Sequence, residues 1–488
     1  MADAARELPL HWDDDLPPFM RFQVRTAAGG GVLAGAFLVG ILGDQALRSS
    51  SSGIGLGASL ALAAAALVLV AVAGVKRWEP RLLAAGAVFF AAWLCLRASP
   101  WLAWPDLAAC LLLLGAAASL AIRGSLFDLG LLEAGARILH GCLQLGAGAV
   151  FAAPPVAGAA RSTRLLAPVA RGLLIGLPIA GVLALLLAAA DPIFASFFVL
   201  DLDYGQLAQD GLLVLLGALA TAGLLRLAGS VPLERIEAPG WRLGLVEGLT
   251  VLAVLDAVFA AFAVAQAIAV TTTDYAEYAR TGFFELLWAA GITLVVLLFF
   301  GRITAFSGRR GHRAFVALAE LAIALTLLVV AVAFQRLSLY EAVYGFTMLR
   351  LYSHLFAVLV GVAFLYLAAE LAGLGRGRRW FLGAASMTAL ALLACLNLAG
   401  PEALVVGWNL DRATASGKLD VSYLGQLSSD AVPGLVAGRT RLDPGLQLAI
   451  AKAVCQQQPP AAGGWAAWNL AAGQAADARR SACPTPLK

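Results

Sequence analysis

The sequence predicts an all-α, polytopic membrane helix bundle of about eleven transmembrane helices, followed by a small helical domain at the C-terminus. Hydrophobic residues make up 61% of the 488 residues and charged residues only 13%, whereas soluble domains have roughly 25% charged residues. The apolar residues also gather into long runs. A run of about 18 or more apolar residues with few charges is long enough to cross the hydrocarbon core of a bilayer.

The predicted spans follow one another with short polar loops between them. Those of the first half are rich in Ala, Leu and Gly, and we expect small residues such as Gly53 and Gly57 to let these helices pack closely. The eleven spans lie at 27–43, 54–75, 82–97, 106–122, 171–190, 207–228, 244–270, 282–300, 314–334, 349–372 and 380–398.

Positive charge is distributed unevenly between the two sides of these spans. Of the 34 Lys and Arg residues, 21 lie in the segments that are cytoplasmic when the N-terminus is inside, and four lie in the opposite loops. Because cytoplasmic loops are enriched in positive charge, this pattern predicts a multi-pass protein of the cytoplasmic membrane with its N-terminus inside and its C-terminus outside. The lipid bilayer is its expected partner. No basic patch lies on a soluble domain, so we expect no nucleic-acid partner.

Composition divides the chain into five parts. Residues 1–26 form a cytoplasmic N-terminal segment, 27–122 a four-helix membrane part and 123–170 a cytoplasmic linker. Residues 171–398 form a seven-helix membrane part and 399–488 an extracytoplasmic helical domain, for which apolar spacing predicts about five short helices. An oxidising exterior would permit a disulfide between Cys455 and Cys483.

The linker contains polar residues at helical spacing. These residues alternate with apolar ones, so they predict an amphipathic helix that lies on the membrane. A buried helix with a polar stripe is the alternative. The stripe comprises Asp128, Glu133, Arg137, His140 and Gln144.

Polar and aromatic residues are concentrated in three predicted outer loops of the second half. Pro192 biases Asp191 away from helical geometry, and Arg350 and His354 are four residues apart, so they share one helix face. Converging loops would form an outward-facing acidic and aromatic pocket for a cation, an amine, a sugar or a lipid head group. Anchoring of the helices at the interface is the alternative. The candidate polar site consists of residues from these loops and one residue inside a span. Its members are Asp191, Asp201, Asp203, Asp256, Glu277, Arg280, Glu285, Glu341, Tyr344, Arg350 and His354.

Asp256 is the candidate that lies inside a span, near the middle of 244–270. An ionisable residue at that depth is costly to bury and indicates a function. A proton or ion pathway and a structural hydrogen bond between helices both remain open. The four His residues are scattered, and the chain has neither an HExxH nor a paired CxxC pattern, so we expect no metal site. No nucleotide-binding glycine pattern occurs, and no cofactor is expected.

Several segments of the second half resemble a bacterial membrane family that is catalogued as domain of unknown function 4173. The resemblance covers about residues 170–480, and the first four spans have no matching motif. It implies a polytopic protein of the bacterial inner membrane and brings no known activity or catalytic residue. The segments are ADPIF at 190–194, EYARTGFFELL at 277–287, YEAVYGFT at 340–347, LRLY at 349–352, NLDR at 409–412, LDVSYL at 419–424, LSSDAVP at 427–433 and WNL at 468–470.

The sequence leaves three functions open for this integral membrane protein. A transporter or permease with an outward-facing acidic and aromatic site would bind a lipid or a small molecule, and the break at Asp191 and Pro192 is typical of helices that line substrate sites. An enzyme that modifies an envelope lipid or a lipid-linked sugar could use the outer carboxylates as acid and base. A sensor or assembly factor would act through an envelope protein partner of its C-terminal domain.

Overall fold

Helices account for all the regular structure that is described. The computed structural model describes residues 30–49, 55–149, 151–152, 204–230, 242–272, 283–305, 308–374, 380–457 and 463–483. Within these ranges no strand occurs, and the β-type backbone pairing is limited to an isolated parallel bridge between Leu243 and Thr304. The all-α prediction is therefore confirmed for this part of the chain.

The long helices of the described ranges coincide with ten of the predicted spans and with the predicted linker helix. The predicted span 171–190 lies outside the described residues. The helices are α1 Gly30–Ser49, α2 Leu56–Val72, α3 Trp78–Leu96, α4 Pro100–Ser119, α5 Leu131–Gly146, α6 Tyr204–Gly229, α7 Leu245–Thr272, α8 Phe283–Ile303, α9 Gly308–Tyr344, α10 Met348–Leu371 and α11 Phe381–Ala399.

Nine helices in the described ranges are long and apolar enough to cross a membrane, namely all of these except α2 and α5. The chain is thus a multi-pass membrane protein, although the described part does not reach the predicted count of eleven spans. The helix α2 is apolar but has only 17 residues. The helix α9 extends well beyond the predicted span 314–334 at both ends, because its terminal turns are polar and fall outside an apolar window.

The membrane helices form two apolar cores. One core contains residues of α1, α2, α3, α4 and α6, and the other contains residues of α7, α8, α9 and α10. The helix α6 therefore packs with the N-terminal helices, although the predicted boundary at residue 171 assigns it to the second membrane part. Close contact explains this packing, because a Cβ atom at Gly40 of α1 would lie 2.4 Å from the carbonyl oxygen of Val214 in α6. A small residue is needed where two helix backbones approach so closely.

The helix α5 in the predicted linker is amphipathic, but its polar side faces inward. Arg137, His140 and Gln144 are buried, whereas Leu132 and Leu139 are 46% and 45% exposed. The polar side packs against α6 and α4. The polar stripe that the sequence shows is therefore buried against neighbouring helices, and the apolar side of α5 is exposed.

The chain after α11 forms a third core of short helices. Gly400 ends α11 with φ at 69°, a conformation that favours glycine, and Pro401 begins the next helix, where its missing N–H costs nothing. Cys455 and Cys483 are joined by a disulfide. As expected from their apolar spacing, the described residues after Gly400 form five α-helices, namely α12 Pro401–Ser416, α13 Val421–Leu424, α14 Val432–Gly438, α15 Pro444–Gln456 and α16 Leu470–Ala482.

These short helices cover one end of the membrane helices, which we call the C-terminal side. The amide of Leu56 at the start of α2 donates to the carbonyl of Trp468 at 3.0 Å, and the amide of Ala98 between α3 and α4 donates to Asp430 at 2.6 Å. The other helix ends meet on the opposite side, where Arg77 donates to the carbonyl at the end of α4. Alternate loops therefore meet on the same side, as a chain that crosses back and forth requires.

Candidate functional site

The hairpin of α9 and α10 carries a cluster of polar side chains at its C-terminal-side end. His354 Nδ1 lies 3.4 Å from Glu341 Oε1, and His354 Nε2 lies 3.0 Å from the hydroxyl of Ser338. Glu341 is buried at 7% exposure. Three residues from two adjacent helices thus form a connected series of hydroxyl, imidazole and carboxylate, which suits the transfer or shared binding of a proton.

Aromatic rings lie at the same end of the hairpin. The guanidinium carbon of Arg350 lies 4.5 Å from the ring centre of Tyr340, and the ring of Tyr344 lies 4.5 Å from that of Tyr340. Arg350 also donates to the carbonyl of Gly345. A guanidinium over a tyrosine ring is an attractive cation–π arrangement. The predicted acidic and aromatic residues of this hairpin therefore lie together.

The turn between α9 and α10 is held by the C-terminal helices. Asn409 of α12 accepts a hydrogen bond from the amide of Phe346 at 3.1 Å and donates to the carbonyl of Phe346 at 2.8 Å. Gly345 has φ at 82°, and a Cβ atom there would lie 2.8 Å from Asn409 Oδ1. Glycine is required both for the turn and for this contact.

A second cluster joins the α3–α4 turn to the C-terminal helices. Arg97 donates to the carbonyl of Asn397 through Nε at 3.0 Å and through Nη2 at 2.7 Å, and its Nη1 lies 3.4 Å from Asp430 Oδ1. Asn469 donates to the carbonyl of Arg97 at 2.8 Å. The ends of α3 and α11 and the C-terminal helices are thereby fixed to one another.

Glu402 lies at the centre of this second cluster and is 1% exposed. Its carboxylate accepts hydrogen bonds from the hydroxyl of Ser99 at 2.6 Å and from the amide and hydroxyl of Ser428 at 2.8 and 2.7 Å. Burial raises the pKa of Glu402 above its usual value, although the hydrogen bonds from Ser99 and Ser428 oppose the change. The arrangement suits a structural joint that holds the C-terminal helices in place.

Two further contacts connect α4 with α10 and α11. Asn397 of α11 donates to Asp106 of α4 at 2.7 Å, and both residues are fully buried. The hydroxyl of Tyr352 in α10 donates to the carbonyl of Trp101 at 2.6 Å. Such hydrogen bonds between helices are a common means of association within a membrane.

Asp256 lies near the middle of α7 and is 6% exposed. Neither of its carboxylate oxygens has a hydrogen-bond partner among the described residues. A carboxylate in an apolar environment without a partner is costly in its charged form. This residue is therefore distinguished from the other carboxylates of the site, such as Glu341 and Glu402, which have partners.

The structure describes six of the eleven predicted site residues. Glu341, Tyr344, Arg350 and His354 lie in the hairpin cluster, Asp256 lies within α7, and Glu285 is exposed in the first turn of α8. Ser338 also belongs to the cluster and is not among the predicted site residues, although its spacing of three from Glu341 places it at the same helix end. The remaining predicted residues lie outside the described ranges, namely Asp191, Asp201, Asp203, Glu277 and Arg280.

The resemblance to a family of unknown function is confirmed, but not its number. No curated protein and no solved structure matches the chain. The family that matches carries the number 4153 rather than 4173, and its match begins within α1 and ends with α14. The first four helices, which showed no recognisable motif, therefore belong to the family region. The family model described as Domain of unknown function (DUF4153) matches residues 32–438, and the chain belongs to that family.

Proposed function

We propose that this protein is a permease of the cytoplasmic membrane, in which a ligand bound at the α9–α10 hairpin moves together with a proton carried by Asp256. The observation that carries the proposal is the burial of Asp256 within a membrane helix, with no partner for either oxygen among the described residues. A protein seldom retains an ionisable group at such a depth unless it serves transport or an interhelical contact.

The position of Asp256 on α7 supports a role at a helix interface. Leu252, Asp256 and Phe259 are the buried residues at this level, and their spacing of four and three places them on one helix face. Leu252 belongs to the core that includes Phe315 and Ile323 of α9. Asp256 therefore shares the face that packs on α9, away from the lipid.

Polar groups continue from Asp256 toward the C-terminal side along the same interface. Gln266 lies ten residues further along α7, which corresponds to about 15 Å of helix, and it accepts a hydrogen bond from Arg336 of α9 at 3.0 Å. Ser338 lies two residues beyond Arg336 and begins the series that includes His354. Polar side chains thus occur at the membrane centre, about 15 Å further along α7, and at the hairpin cluster, and a proton pathway along α7 and α9 would pass all three.

We assign the C-terminal side to the outside of the cytoplasmic membrane. The distribution of Lys and Arg supports this orientation. The hairpin cluster then faces outward, and its carboxylate, imidazole and tyrosine rings suit a cationic or hydroxyl-bearing ligand.

Reconstituted liposomes that enclose a pH-sensitive dye test the proposal. Putrescine, glucose and glycerol 3-phosphate, added in turn outside, serve as probes for an amine, a sugar and a head group. We expect one of them to drive proton entry with the wild-type protein. Asp256→Asn should abolish this entry, and Glu285→Gln, which removes an exposed carboxylate at a helix end, should retain it. Equal entry with wild type and Asp256→Asn, or no entry with any probe, contradicts the proposal.

One observation favours an enzyme as the second candidate. Ser338, His354 and Glu341 follow one another in the order of nucleophile, base and orienting carboxylate that hydrolases use. Such an enzyme would act on an envelope lipid or a lipid-linked sugar. Asp256→Asn separates the two candidates, because it should leave such an activity largely intact and should abolish proton-coupled transport.

A further inference from the structure

A groove of about 970 Å³ opens on the C-terminal side, away from the α9–α10 hairpin. Its volume is in the range of pockets that bind small organic ligands. We call it the Trp465 groove. It lies between the end of α1, the start of α6 and a single 3₁₀ turn of the C-terminal part, and its lining residues are Gln45, Leu47, Arg48, Ser49, Gln206, Gln209, Leu213, Gly464, Trp465 and Ala466.

Two walls of the groove are held together by charge and by close packing. Arg48 of α1 forms an ion pair with Asp210 of α6 and lies 3.9 Å from Asp44, one helical turn earlier. Two turns further into the membrane, Gly40 and Gly217 bring the backbones of α1 and α6 into contact. The spacing of these two walls is therefore fixed by the helices themselves.

The third wall is a short segment whose backbone packs closely against α1 and α2. Trp468 accepts the hydrogen bond from Leu56, Ala466 is 3% exposed, and a Cβ atom at Gly463 would lie 2.2 Å from the carbonyl oxygen of Ser49. The side chain of Trp465 nevertheless stays 51% exposed. The aromatic ring of Trp465 is thus exposed in the groove, while the backbone of its segment is held by close packing.

The chemistry of the lining indicates the class of ligand. Arg48 is the charged side chain among the described lining residues, and Asp210 and Asp44 both offset its charge, so no positive charge remains for an anion. Three glutamine amides line the groove, and each amide both donates and accepts hydrogen bonds, as hydroxyl groups do. The indole face of Trp465 offers an apolar surface for the C–H face of a sugar ring.

We propose that the Trp465 groove binds a saccharide, with Trp465 as the stacking surface and Gln45 and Gln209 as hydrogen-bonding partners. The saccharide comes either from a soluble glycan or from the head group of a glycolipid, since both present the same rings and hydroxyl groups. This site is separate from the hairpin cluster and does not depend on the permease proposal.

Saturation-transfer NMR on the full chain in nanodiscs tests the soluble source, with cellobiose and N,N′-diacetylchitobiose as probes. Native mass spectrometry of protein from nanodiscs that contain glucosyl diacylglycerol tests the membrane source. Trp465→Ala is the main variant. Trp468→Ala is its matched control, because Trp468 lies three residues away on the same segment, is 50% exposed and does not line the groove.

We expect saccharide binding by the wild type and by Trp468→Ala, and a loss of at least about tenfold in Trp465→Ala, which corresponds to about 1.4 kcal/mol. Gln209→Leu, on the opposite wall, should weaken binding as well and provides the test should Trp465→Ala fail to fold. Saturation transfer from the protein to either free sugar indicates that the ligand is a soluble glycan. Retention of the glycolipid alone indicates that the ligand is a glycolipid head group. Binding of neither probe class, or equal binding in all variants, overturns the proposal. An equal loss in both tryptophan variants does so as well.

Discussion

Ser99 and Glu402 form a 2.6 Å hydrogen bond that joins the turn between α3 and α4 to the first turn of α12. The two residues are 303 positions apart in the sequence, and both are almost completely buried. The same carboxylate accepts two hydrogen bonds from Ser428. One buried acidic group thus joins the turn between α3 and α4 to two segments of the C-terminal part.

This buried acid predicts a dependence of stability on pH. Burial raises the pKa of folded Glu402 above the ordinary value of 4.5. The folded state therefore binds more protons than the unfolded state between these two values, so the free energy of unfolding falls as pH rises through that window. We expect Tm in nanodiscs to decrease over this range and Glu402→Gln to flatten the dependence. Asp443→Asn, an exposed acid of the same region, serves as control, and an unchanged slope in Glu402→Gln would refute the assignment.

The contact between Asn409 and the α9–α10 turn predicts that removal of this one side chain lowers the stability of the protein. Asn409→Ala would leave the amide and carbonyl of Phe346 without their partners. These two groups are partly buried, and an unsatisfied buried group costs about 1–3 kcal/mol, so we expect a loss of about 1–3 kcal/mol in stability. Thr414→Ala, which removes an exposed hydroxyl of the same helix, should cost much less. Thermal unfolding of the purified variants measures both, and equal Tm values would show that Asn409 does not hold the turn.

The crossing of α1 and α6 predicts a strong difference between two glycines of α1. A Cβ atom at Gly40 would lie 2.4 Å from the carbonyl oxygen of Val214, whereas a Cβ atom at Gly43 would have no neighbour within 4 Å. Gly40→Ala should therefore destabilise the protein by about 1–3 kcal/mol, and Gly43→Ala should have little effect. Size-exclusion profiles and Tm of the two variants in the same detergent compare them, and identical behaviour would contradict this helix crossing.

The disulfide between Cys455 and Cys483 predicts that reduction loosens the end of the C-terminal part. It closes a loop between residues 28 positions apart, and such a loop contributes about 3 kcal/mol. We expect Cys455→Ser with Cys483→Ser to increase proteolysis of residues after α15. Cys395→Ser, a free cysteine of α11, is the control. Equal protease resistance in the presence and absence of the disulfide would argue against this contribution.

Local patterns predicted much of this fold. Apolar run length located ten helices, because the requirement to span a bilayer acts on consecutive residues. The spacing of Arg350 and His354 likewise indicated one helix face, and both residues lie in the hairpin cluster together with Glu341. These are relationships within one or two neighbouring helices.

Relationships between distant segments could not be predicted in this way. Arg97 bonds to Asn397 and Asp430 across about 300 residues, and no local pattern records such a pairing. The sequence shows the polar stripe of α5 but not the direction that it faces, since a stripe has the same spacing whether it faces water or other helices. The packing of α6 on α1 similarly depends on Gly40 and Gly217, which were two among 51 glycines.

The most direct test of the permease account is the reaction of Asp256 with dicyclohexylcarbodiimide in liposomes, read by peptide mass spectrometry. This apolar reagent modifies carboxyl groups that are protonated in an apolar environment. The account predicts labelling of Asp256 that decreases as the outer pH is raised, because the residue exchanges protons along α7 and α9, with no label in Asp256→Asn. An unlabelled Asp256, or labelling that does not respond to the outer pH, would contradict the claim that this residue carries the proton.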